Sequence, residues 1–173
     1  MSLNELVVRW RFRAHRMQLA HYDSSRAFES RHRVLGIIAI ILGALVSAGV
    51  LGSIAEDRLN EPLIRVIVGL LSALAATLAG LQTFLMYSEV SEKHRIAGAR
   101  FAHLKHRLEL LMSSERPSDA DLNRRLKRME LDCSALREET PSIPDTIWKR
   151  IEQQFTLEEH ANRYGTSAWS PPA

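Results

Sequence analysis

Two long apolar runs set the plan of the chain. The first, VLGIIAIILGALVSAGVLGSIA over 34–55, carries no charge, no proline and only two serines. The second, VIVGLLSALAATLAGLQTFLMYS over 66–88, follows after ten residues that include Asn60-Glu61-Pro62. A helix needs about 20 apolar residues to cross the ~30 Å hydrocarbon core of a bilayer, and soluble core helices rarely stay uncharged that long. The pattern predicts two membrane spans joined by a tight turn, with Pro62 suited to open the return helix.

Outside those runs the apolar positions recur every three or four residues. Before the first span the line is Leu3, Val7, Trp10, Ala14, Met17, His21, Ser24 and Phe28. After the second it is Tyr87, Val90, His94, Ala97, Phe101, Leu104, Leu108 and Leu111. Such heptad-like stripes predict helices that pair as a coiled coil. No glycine or proline separates stripe from span on either side, so each is expected to run on as one helix. The result is an antiparallel hairpin over 1–112. Carrying the second stripe backwards into the membrane places Thr83, Gly80, Ala76, Ala73 and Gly69 on the hairpin face, small residues meeting the aliphatics of the first span. Membrane helices associate through such close packing. Gly36, Gly43 and Ser47 then point away from the partner helix. With Gln82, costly to leave unpaired in lipid, they are the candidates for a pore lining or a contact between protomers.

Two shorter helices follow. Pro117 ends the hairpin, and Ser118-Asp119-Ala120-Asp121 reads as an N-cap with an acid at the third position. The helix over 119–139 carries Leu122, Leu126, Met129, Cys133 and Leu136 on one side, and Thr140-Pro141 stops it. Ser142-Ile143-Pro144-Asp145 repeats the cap pattern before a helix over 144–161 with Ile147, Trp148, Ile151 and Phe155 inside. The segment 113–164 is thus a pair of cytosolic helices, and 165–173 a flexible tail. Nothing reads as a strand. The expected fold is all-α, a two-span hairpin extended into a cytosolic bundle, four helices in total.

Charge orients this plan. Residues 1–33 hold seven Lys/Arg against three acids, the loop over 56–65 holds two against three, and 89–173 hold the remaining fourteen. By the positive-inside rule both termini are cytoplasmic and the short loop is outside. The single cysteine, Cys133, forms no internal disulfide and suits a reducing compartment.

The chemistry-bearing residues are sparse. His103 and His106 stand at i, i+3 but lack the further ligands zinc needs. Cys133 lies on an apolar helix face without a partner base. No nucleophile elbow, phosphate loop or metalloprotease motif occurs. No catalytic residue, metal or cofactor is therefore expected, and no nucleic acid partner. Arg124, Arg125, Lys127 and Arg128 form the densest basic patch, a solvated face or a site for an anionic ligand or lipid. Between 34 and 88 no ionisable group lies within either run, and two helices cannot enclose a conduit. Any pore must be built by a homo-oligomer and lined by weakly polar or apolar side chains.

Several local patterns together resemble a known family. They are Arg11-Phe12-Arg13-Ala14-His15 with Ala20-His21-Tyr22, the run from Arg31 to Ala44 (RHRVLGIIAIILGA), the run from Tyr87 to Leu104 (YSEVSEKHRIAGARFAHL), and Ile143 to Trp148. This layout resembles the SLATT family, two-helix membrane effectors that accompany bacterial nucleotidyltransferases and nucleotide-sensing domains. The resemblance implies a pore-forming effector of anti-phage defence in the inner membrane, causing death or arrest of the infected cell. It also implies a neighbouring nucleotidyltransferase or sensor protein, or its nucleotide messenger, as partner. The alternative reading of the same residues is a non-conducting membrane scaffold that recruits a cytosolic partner through its coil.

Overall fold

A computed structural model describes the backbone of residues 3–55, 62–113 and 117–156, with side chains from residue 5 to 52 in the first of these segments. The described chain is all-α: four helices, the second broken in two. They are α1 (Leu3–Ala55), α2 (Pro62–Leu85), α3 (Tyr87–Ser113), α4 (Asp119–Glu139) and α5 (Asp145–Gln154). The loop over 56–61 and the tail over 165–173 lie outside the described residues. At ~1.5 Å per residue, the 53 residues of α1 extend for about 80 Å. Such a length is possible because no proline or internal cap interrupts it.

The chain divides into two compact units, Met1–Arg26 with Ser91–Ala173, and Ala27–Val90. The division does not follow the sequence-expected boundary near 112. It falls where the polar stripes give way to the apolar runs, so α1 contributes to both units.

The charged unit is a helical bundle with a dry core. Val7, Val8 and Ala14 of α1 meet Phe101, Leu104, Leu108 and Leu111 of α3 and Leu122, Leu126, Met129 and Leu136 of α4. Apart from Val8, these are heptad positions of the two stripes and the apolar side of α4, as their spacing requires. Ser118 caps α4 by accepting a hydrogen bond from the Asp121 backbone N–H at 3.3 Å. The second expected cap is not formed: Pro144, which has no side-chain acceptor, occupies the N-cap of α5. This last helix also ends at Gln154 rather than 161, because Phe155 turns extended and sets its ring edge-on to His15 at 5.7 Å. Ile147 and Ile151 bury the inner side of α5. Arg16 grips it from α1, lying 4.7 Å over the Trp148 ring and pairing with Glu152 at 3.0 Å.

The apolar unit pairs the second half of α1 with α2. Contacts of Gly36 with Gln82 and Gly49 with Val68 fix an antiparallel register. Both helices are long and apolar enough to cross a membrane, and none of either apolar window is buried within the protein. Among the described residues many large side chains of both runs point outward, Ile40 at 73% and Phe84 at 81% exposure among them. The core helices of a soluble bundle would be covered, so this surface asks for a non-aqueous neighbour.

Candidate functional site

The break between α2 and α3 is one residue wide. Met86 has φ of 45°, a left-handed conformation that costs an L side chain roughly 1–2 kcal/mol. Its carbonyl accepts from the Val90 N–H at 3.0 Å and so starts α3. A helical phase cannot be carried through such a residue. For that reason the packing face expected on α2 is wrong: Gly69, Ala73, Ala76, Gly80 and Thr83 are all exposed. A Cβ added at Gly69 or Gly80 would meet nothing within 4 Å. The half-buried line is instead Ile64, Val68, Leu71, Ala75, Leu78, Gln82 and Leu85.

The outward placement of Gly36 and Gly43 is overturned as well, although α1 is unbroken: a 3.5-residue heptad line carried into a 3.6-residue helix drifts off its face. Gln82, a candidate for a pore lining or protomer contact, lies inside the hairpin. Gly36 and Gln82 face each other inside the hairpin, with the Gln82 Nε2 3.2 Å from where a Gly36 Cβ would stand. Gly43 is half-buried on the same side of α1. Only Ser47 stays outward, and its hydroxyl donates to the Gly43 carbonyl at 2.9 Å. Ser72, Thr77 and Thr83 close similar bonds onto carbonyls four residues earlier. Such back-bonding lets a hydroxyl face lipid without an unmade hydrogen bond.

Within the charged unit, the polar positions of the two stripes converge. His21 and His94, 0% and 1% exposed, hydrogen-bond through their Nδ1 atoms at 2.9 Å. One neutral ring donates and the other accepts. Assigning the proton to His21 Nδ1 leaves its Nε2, buried without a partner, as a bare acceptor rather than an unmatched donor. Phe101 stacks on the His21 ring at 5.5 Å. A turn further on, the Ser91 hydroxyl donates to the Ser25 carbonyl at 2.9 Å while the two hydroxyls meet at 3.1 Å. Tyr22 lies flat on Gly98, where a Cβ would come within 2.9 Å of the ring.

Burial, and then the neighbouring His94, pushes the His21 pKa down from 6.5 to about 4. Burial also lowers that of His94. The pair is neutral at physiological pH and sealed from any substrate. Its chemistry is that of a register lock: two polar groups satisfied only when α1 and α3 stand in one alignment. Ala20-His21-Tyr22 and the His94 to Gly98 segment are thus two sides of one crossing. The spacing placed His94 on the buried stripe, but nothing local tied it to His21, 73 positions away.

The basic patch is divided by its helix. Arg124, Arg125 and Arg128 line a cleft between α3 and α4, joined by Arg107 from α3, while Lys127 lies on another side of α4. Arg107 was not legible as part of the patch, because only the packing of α3 brings it there. Cys133 is half-buried and its thiol is pushed up by burial, the reverse of what a nucleophile needs. Among the described residues no three His, Cys, Asp or Glu side chains gather as metal ligands.

No protein-family model, curated protein or solved structure matches the chain.

Proposed function

We propose that the protein is a bacterial membrane effector whose copies assemble in the inner membrane and permeabilise it, with both termini in the cytoplasm. The observation that carries this reading is the hairpin of α1 and α2, which leaves its apolar windows uncovered on every side but one. A pair of helices whose outer hydroxyls are satisfied within their own backbone is suited to lipid and to close contact with further copies. Two helices enclose no conduit, so conduction requires several chains. The basic flanks, by the positive-inside rule, support a cytoplasmic side for the bundle. The resemblance to SLATT effectors adds the setting: nucleotide-signalled anti-phage defence, with a neighbouring nucleotidyltransferase or sensor and an outcome of cell death or arrest.

Controlled expression in bacteria, together with the neighbouring gene, tests this. Membrane potential and propidium entry are followed after induction. Depolarisation with dye uptake is the expected result. Growth arrest with a sealed, polarised membrane would replace the effector reading with that of a non-conducting scaffold.

A further inference from the structure

The cleft between the last turns of α3 and the first half of α4 has a volume of about 620 Å³, the size range of small-molecule sites. Among the described residues four guanidiniums line it, Arg107, Arg124, Arg125 and Arg128, against one carboxylate, Asp121. Asp121 is divided between two of them, accepting from Arg125 Nε at 2.8 Å and standing 3.5 Å from Arg124. Arg107 leans on Asp132 at 2.7 Å. Among the described residues Arg128 has no carboxylate partner, although its neighbours on the same face do. The positions 121, 124, 125 and 128 are one face of a helix, so the surplus of positive charge is aimed rather than scattered.

Leu110, 55% exposed, stands at the rim of the cleft beside the guanidiniums, while Leu111 and Met129 behind it belong to the buried core. Guanidinium forks recognise phosphate oxygens in bidentate fashion, and their planes accept a flat ring. From this combination we infer that the cleft binds a phosphorylated ligand with a planar apolar body, a nucleotide bearing two or more phosphate charges. The phosphates displace Asp121 from part of its hold on Arg124 and Arg125 and take Arg128 directly. The base lies against Leu110 and the plane of a neighbouring guanidinium. The assignment concerns the charged bundle alone and holds whether or not the protein permeabilises membranes.

The test uses the full chain in nanodiscs of neutral phosphatidylcholine, titrated calorimetrically with ATP, with a cyclic dinucleotide, and with inorganic pyrophosphate. At least one nucleotide should bind more tightly than pyrophosphate, and more weakly as salt rises. Arg128→Ala should weaken that binding tenfold or more. Arg128→Lys keeps the charge but loses the fork, and should still weaken it several-fold. Lys127→Ala, off the cleft, should leave it unchanged. Circular dichroism on each variant confirms that α4 is folded, and the lysine variant serves if the alanine variant is not. Pyrophosphate binding as well as the nucleotides, equal losses at Lys127 and Arg128, or no binding at all would overturn the proposal. So would saturable binding of phosphatidylglycerol in a parallel set of discs containing it, with no nucleotide bound in either set, which would make the cleft a headgroup site.

Discussion

At the scale of single residues, the His21–His94 pair turns pH into stability. An unfolded histidine takes a proton as pH falls through about 6.5, whereas folded His21 resists until about 4. The unfolded state therefore binds more protons throughout that window, and stability must fall as the solution is acidified across it. At ~1.36 kcal/mol per pKa unit, the loss from His21 between pH 7.5 and pH 5 is about 2 kcal/mol, with His94 adding in the same direction. Thermal melts of the detergent-solubilised protein at the two pH values should show it as a lower midpoint at pH 5. Replacing both rings, His21→Leu with His94→Leu, removes donor and acceptor together and should flatten the pH dependence at little cost at neutral pH. His94→Leu alone strands His21 Nδ1 and should cost about 1–3 kcal/mol at pH 7.5. A melt that does not move with pH in the wild type would show that the rings are not held neutral by burial.

At the scale of elements, periodicity was a reliable guide in the charged unit, but not along the apolar half of α1, where Gly36 and Gly43 turn inward although the helix is unbroken. Both stripes, from Val7 to Phe28 and from Tyr87 to Leu111, are buried or half-buried at their described positions, and the inner side of α4 is where its leucines place it. The failure on α2 has one cause. Nothing in Phe84-Leu85-Met86-Tyr87 is a glycine or proline, so the left-handed turn at Met86 leaves no mark on the sequence, yet it resets the phase of every residue before it. The candidate site was legible only by halves for a related reason. A histidine or arginine on a stripe announces that it faces a neighbour, but which residue it meets across 73 or 17 positions is decided by packing. The corrected register makes its own prediction. Gly36→Leu drives a side chain into Gln82 and should destabilise the hairpin by about 1–3 kcal/mol. Gly80→Leu enters open space and should leave the thermal midpoint of the solubilised protein where it was. The opposite ranking would restore the face from Gly69 to Thr83 as the packing side.

At the scale of the whole molecule, the notable feature is that one helix belongs to both compact units. α1 is buried against α3 through Val7, Ala14 and His21, and continues without a break to Ala55. If a change in the bundle is to open a membrane assembly, α1 is the route to test, since its helix is continuous in the chain whereas α2 and α3 are interrupted at Met86. Ser30 offers a place to test this, because it is exposed and precedes the first apolar run. Ser30→Pro removes the hydrogen bond from position 30 to the Arg26 carbonyl and kinks the helix there, at a local cost of about 3 kcal/mol. The residues that build the bundle core and the Gly36–Gln82 contact lie outside that turn. The variant should therefore remain helical and membrane-bound, which circular dichroism and fractionation measure, while propidium entry after induction is lost. Retained helicity with wild-type dye uptake would mean that the continuity of α1 serves folding alone, and that opening is decided among the membrane helices themselves.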